Sequence, residues 1–142
     1  MNNLRTIFFY GLFMDPQYLR AQGLQPQSVQ NAYVQDYELQ LGARANLIAS
    51  VGQRCYGVVM TLTAQEVTQL YAAPSVQDYQ AETVSVHSLN QPERVADVYL
   101  LQGSQQQSPN QDYAHQLLQL AQQLDFPTDY LQHIASFIVP KP

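Results

Sequence analysis

Charge is what this chain has least of. Asp, Glu, Lys and Arg make up 12% of its 142 residues, about half the usual share, and glutamine fills much of the polar surface instead. Six Lys and Arg stand against eleven Asp and Glu, a net charge of −5. Nucleic acid needs a basic face to neutralise its phosphates, and an anionic membrane asks for the same, so neither is an expected partner. Cysteine occurs once, at Cys55, which excludes a disulfide framework and a cysteine zinc site. His87, His115 and His133 are dispersed, none at metal-ligand spacing with another ligand residue, so no metal is expected. No apolar run approaches membrane-spanning length, and Met1–Arg5 lacks the basic and long apolar regions of a signal peptide. A reducing cytoplasm is the expected setting. Neither a linker nor an internal repeat interrupts the chain, so residues 1–142 are expected to form a single domain.

What is present is most telling at Ile7-Phe8-Phe9-Tyr10-Gly11-Leu12-Phe13-Met14. The apolar run Ile7–Tyr10 reads as a buried strand. It ends at Gly11, which can turn a backbone through φ > 0 without a Cβ clash. Asp15-Pro16 then reads as a helix N-cap followed by proline in the first turn. A strand, a tight turn and a helix start aim several backbone N–H groups at one point, where a carboxylate, a phosphate or an oxyanion can sit.

Further along, Asn31–Gly42 alternates as one or two strands, Gly52-Gln53 reads as a turn, and Arg54–Leu62 as a strand. Thr63-Ala64-Gln65-Glu66 is a capping box, opening a helix that cannot pass Pro74 undisturbed. Tyr79–Val86 and Arg94–Leu101 are strand-like. Gly103–Gln107 is a glutamine-rich loop. Ser108-Pro109 opens a helix with Tyr113, Leu117, Leu120 and Leu124 at helical spacing, and Asp129–Ile138 is a last short helix. Strands first and helices last make an α+β order, with the sheet expected to curl into a small mixed β-barrel flanked by helices.

In that order the parts resemble the γ-glutamyl cyclotransferase family, in the broad sense that includes its AIG2-like branch. Tyr10-Gly11-Leu12-Phe13-Met14 is similar to the family's opening Tyr-Gly turn. Gly42-Ala43-Arg44-Ala45-Asn46-Leu47, Gly52 and Tyr56-Gly57-Val58-Val59 resemble its middle pattern. Leu70, Tyr79 and Val84-Ser85-Val86 resemble the stretch around the catalytic acid, Ala96-Asp97-Val98-Tyr99 the following strand, and Ser108-Pro109 through Phe126-Pro127-Thr128-Asp129-Tyr130 the closing helices. The resemblance implies a cavity above the Tyr-Gly turn. It also implies a cofactor-independent reaction: the α-amine of a γ-glutamyl amine or peptide attacks its own γ-carbonyl, giving 5-oxoproline and a free amine.

That reaction needs three things: backbone N–H groups to hold the substrate, an enforced ring-closing conformation, and a general base. The resemblance places Tyr10, Gly11, Leu12, Phe13 and Tyr79 at the substrate. The family's base is a Glu, and counting from Leu70 puts Pro74 in its place and Ser75 where a Gly follows. Proline cannot transfer a proton. Two displaced acids stand in reach as expectations. Glu82 shares strand parity with Val84 and Val86 and would gain a raised pKa if turned inward; Asp78 would reach the cavity rim. Each has a plain alternative, Glu82 as an exposed strand carboxylate and Asp78 as a turn residue. Tyr79 is either a pocket hydroxyl or a wall aromatic, and Arg44 either a partner for a substrate carboxylate or a solvated loop residue. Cys55 reads as core packing. Two functions follow: a cyclotransferase-like protein working through a displaced acid, or a non-catalytic module that senses a small carboxylate metabolite.

Overall fold

Alternation and apolar runs in the first two-thirds of the chain become one sheet in the computed structural model, which describes residues 3–74, 76–88, 91–101 and 108–139. Strand β1 (Leu4–Phe9) lies at its centre, antiparallel to β3 (Ala45–Thr63) and parallel to β5 (Arg94–Leu100). Hairpins add β2 (Gln27–Leu41) beyond β3 and β4 (Gln80–Val86) beyond β5, for the order β2-β3-β1-β5-β4. Ile7, Phe8 and Phe9 are buried because β1 is flanked on both sides. A Cβ on Gly57 would run into the Phe9 carbonyl and come within 2.8 Å of the Phe8 ring, so glycine is what lets β3 lie against β1 there.

The α+β expectation holds; the barrel does not. The edge strands touch at one bridge, where Tyr33 and His87 exchange two N–H···O bonds of 2.9 Å. One bridge is not a ladder, and the sheet stays open. The 15 residues of β2 outrun the 7 of β4, so most of β2 has no strand facing its outer edge. The expected turn at Gly52-Gln53 is also corrected. β3 continues through it as a bulge, residues 50–53 standing opposite the single Asp36 (φ 68°) of β2; Gly52 (φ 87°) lies in the bulge, and the Asp36 carboxylate accepts its N–H at 2.9 Å. The positive φ that glycine allows kinks a strand here without ending it.

Helix starts follow local chemistry. Asp15 accepts the Gln17 N–H at 3.0 Å and Pro16 opens α1 (Pro16–Ala21). Thr63 and Glu66 form the capping box of α2 (Ala64–Leu70). The cap of α3 (Gln111–Gln123) is Asn110, three residues into what Ser108-Pro109 was expected to begin, because its side chain takes the Tyr113 N–H at 3.1 Å. Helix α4 (Thr128–Ala135) buries Tyr130 and Ile134, and α3 buries Ala114, Leu117 and Ala121. The glutamine-rich stretch Gly103–Gln107 lies outside the described residues.

Candidate functional site

Where β1 ends, the chain tightens into a short 3-10 turn, Leu12–Met14, closed by the Met14 N–H on the Gly11 carbonyl at 3.0 Å. Gly11 is not in the left-handed region: its φ is −109°. It is glycine for another reason. A Cβ there would collide with the hydroxyl of Tyr113, which arrives from α3 and accepts the Leu12 N–H at 3.1 Å. The N–H groups of Gly11 and Phe13 have no partner among the described residues.

Beside this turn lies a cavity of about 490 Å³, within the range of small-molecule sites and larger than an amino-acid headgroup requires. Tyr10, Gly11, Leu12, Phe13 and Tyr79 all line it, so the structure brings together the residues that the resemblance grouped. Four further lining residues were not read as site residues. Helical spacing marks Tyr113 only as one residue of a helix's apolar face, and no local signal reveals that its hydroxyl reaches a turn 101 residues away. Gln22, Gln69 and Gln116, all exposed, line the cavity too, lost in the sequence among many other glutamines.

The walls are cross-braced. The Tyr79 hydroxyl donates to the Ala45 carbonyl at 2.5 Å, and the Tyr10 hydroxyl to the Tyr99 carbonyl at 2.7 Å. Tyr79 is thus both a lining residue and a wall aromatic. Buried Asn46 ties β3 to the end of β5: its amide donates to the Leu101 carbonyl at 3.2 Å, and its carbonyl accepts the Leu101 N–H at 2.9 Å. The Asn110 N–H donates to the Gly42 carbonyl at 2.8 Å and anchors α3 to the loop before Arg44. Burial pushes the phenols of Tyr10 and Tyr79 above their usual range, and that of Tyr113 up to about 12. At neutral pH these three can donate a hydrogen bond but not take up a proton.

No Asp, Glu or His is among the described lining residues. Pro74, which the count from Leu70 set against the family's acid, is exposed, and Ser75 lies outside the described residues. Glu82 does not turn inward: parity puts it on the face of Val84 and Val86, but on an edge strand the cover has ended by position 82 and the carboxylate is exposed. Asp78 does not line the cavity but pairs with a residue that does. Its oxygens meet the two terminal nitrogens of Arg44 at 2.6 and 2.8 Å, and these bonds hold its carboxyl below the usual range. Arg44 does line the cavity, with Cζ 5.4 Å from the Tyr79 ring centre.

Cys55 is fully buried, its sulfur 3.3 Å from the Tyr130 hydroxyl, and burial pushes the thiol up to about 12. It is a packing residue. Among the described residues no three of His, Cys, Asp and Glu gather as a metal site would need, and no helix is long and apolar enough to cross a membrane.

Comparison with known proteins bears on the family and the fold. The family model described as γ-glutamyl cyclotransferase, AIG2-like, matches residues 7–117. Among curated proteins nothing matches. A solved γ-glutamyl cyclotransferase superposes with a TM-score of 0.79 at 19% identity, covering 98% of this chain and 90% of that one. An uncharacterised human protein gives 0.78 at 21%, over 98% and 90%. YkqA from Bacillus subtilis gives 0.77 at 19%, over 99% of this chain and 56% of its own. At such identities these structures share the fold.

Proposed function

Since the chain belongs to the AIG2-like γ-glutamyl cyclotransferase family, we propose that its cavity binds a γ-glutamyl amine or peptide and does not turn it over at an enzymatic rate. Ligand binding is supported by the turn: two unpartnered N–H groups, at Gly11 and Phe13, border a hollow of suitable size. A γ-glutamyl carboxylate placed there would satisfy both donors. The Tyr10–Phe13 and Tyr79 walls would hold the chain of the headgroup.

One observation carries the second half of the reading. Cyclisation needs a group that takes a proton from the α-ammonium, and the described lining offers none. Its buried phenols stay protonated and its arginine stays charged. Loss of a positioned base costs about 10²–10⁴-fold in rate. A second reading gives Asp78 that part, favoured by its contact with Arg44, which lines the cavity, and by its place one residue before Tyr79; against it stands the same Arg44 pairing, which makes its carboxylate a weaker base. Glu82 gains no support from its exposed position. The proposed setting is the cytoplasm, where a lone thiol stays reduced.

The test is to mix the protein with γ-glutamyl dipeptides, γ-glutamylamines and glutathione, following 5-oxoproline by mass and stability by thermal denaturation. At a hundredfold excess over Kd a bound ligand adds about 2.7 kcal/mol, so the melting temperature rises while 5-oxoproline stays at the protein-free level. Fast product release that Asp78→Asn abolishes would install the second reading. No shift with any compound would remove the first.

A further inference from the structure

Two parts of the cavity lining differ in what they ask of a ligand. One is the turn, where the unpartnered N–H groups follow the buried Tyr10. The other is Arg44, the one formally charged side chain among the described lining residues. Ala45, the next residue, comes within 3.6 Å of where a Cβ on Gly11 would lie, so a γ-glutamyl headgroup seated on the turn can bring its amide substituent to Arg44. The cavity volume of about 490 Å³ leaves room for one.

Arg44 is already set to receive a carboxylate there. Its two terminal nitrogens grip both oxygens of Asp78, the planar fork in which arginine takes a carboxylate. The guanidinium carbon stands over the Tyr79 ring, 5.4 Å from its centre. The side chains of Arg44 and Asp78 are 36% and 56% exposed, so water competes for the pair and reduces its strength. Asp78 is outside the lining while Arg44 is in it. A second carboxylate on an entering ligand can therefore take the place that Asp78 now occupies.

Resting on the ligand reading above, we propose that Arg44 selects γ-glutamyl α-amino acids over γ-glutamylamines by exchanging the Asp78 carboxylate for the ligand's distal one. Asp78 is then an internal stand-in for that carboxylate. It occupies the Arg44 guanidinium when no ligand is bound and competes with the ligand's carboxylate when one is.

Titration calorimetry with γ-glutamylalanine and γ-glutamylethylamine, which differ by that one carboxylate, tests this on the full chain. The wild-type protein is expected to prefer γ-glutamylalanine by about tenfold, the scale of one charge-assisted pair. Arg44→Gln should bring γ-glutamylalanine down to the level of the amine, Arg44→Lys should keep part of the preference, and Asp78→Asn should tighten γ-glutamylalanine alone. Circular dichroism checks that each variant is folded; if Arg44→Gln is not, the Asp78→Asn comparison decides. Equal affinities in the wild type, a preference that survives Arg44→Gln, or an Asp78→Asn that weakens γ-glutamylalanine would overturn the proposal while leaving the ligand reading intact. Failure of both compounds to bind overturns the proposal and the ligand reading together.

Discussion

The hydroxyl of Tyr113 occupies the space that a side chain at position 11 would need, and it satisfies the Leu12 N–H. Glycine at position 11 is thus set by a neighbour from α3 and not by a backbone angle. Gly11→Ala forces that buried phenol to move, and overpacking of this kind costs about 1–3 kcal/mol. Tyr113→Phe removes the obstacle and leaves the Leu12 N–H without its acceptor, a loss of about 1 kcal/mol. The double variant is expected to be less destabilised than the sum of the two, because the second change relieves the clash made by the first. Urea denaturation of the four proteins gives the coupling, and strict additivity would mean that the hydroxyl and position 11 do not compete. Pro74 belongs to the same scale: it lies beyond the end of α2 and leaves that helix intact, and on the proposed reading it stands where a proton acceptor would.

Helix α2 shows how an element holds one wall of the site. It carries Gln69 and Leu70 to the cavity, and its first turn is fixed by Glu66, which accepts the Thr63 N–H at 2.9 Å and the Gln25 N–H at 2.8 Å. Partial burial would raise the Glu66 carboxyl, but those N–H donors outweigh it and hold the pKa below the usual carboxylate value. The same side chain caps α2 and ties it to the segment between α1 and β2. Glu66→Ala is expected to cost about 1–2 kcal/mol, with Glu66→Gln intermediate, read from urea midpoints at pH 7. The destabilisation should shrink as pH falls through the native Glu66 pKa, since its stabilising charge is present above that value and lost below it. A Glu66→Ala protein as stable as wild type would show that the box only decorates the helix. At the level of strands, β4 ends the sheet, and that placement took Glu82 away from the cavity.

Across the whole molecule, the most widespread electrostatic feature is a set of phenols kept neutral by burial. Tyr10, Tyr71, Tyr79 and Tyr130 are all pushed above the ordinary 10.0, Tyr113 up to about 12, and the Cys55 thiol from 9.0 up to about 12. In the unfolded chain these groups release protons at their ordinary values, so above pH 9–10 the native state holds more protons than the unfolded one. Stability is therefore full below that range and is lost as pH rises towards 12. Urea midpoints at pH 8, 10 and 11 should fall steeply, and the phenolate absorbance of the buried tyrosines should appear only with unfolding. A flat midpoint over that range would count against the buried assignment. The acid side is gentler, because the exposed Asp78 contributes little.

Much of this molecule is written in short-range pattern. The Asp15-Pro16 start, the Thr63–Glu66 capping box, the apolar run into Gly11 and the strand-then-helix order depend on residues a few positions apart, and hydrogen bonds of that reach are legible in a single sequence. The family could be read the same way, as weak motifs in correct order, and with it the residues around the turn. What tertiary structure alone decided are contacts that no local rule connects: the Tyr113 hydroxyl on a turn 101 residues away, the Arg44–Asp78 pair across 34 residues, and the opening of the sheet where a curled barrel was expected. Strand parity could say which face Glu82 takes, but not where on that face the cover ends. That depends on strand length and on which strand lies at the edge, and both are settled only when the whole sheet has paired.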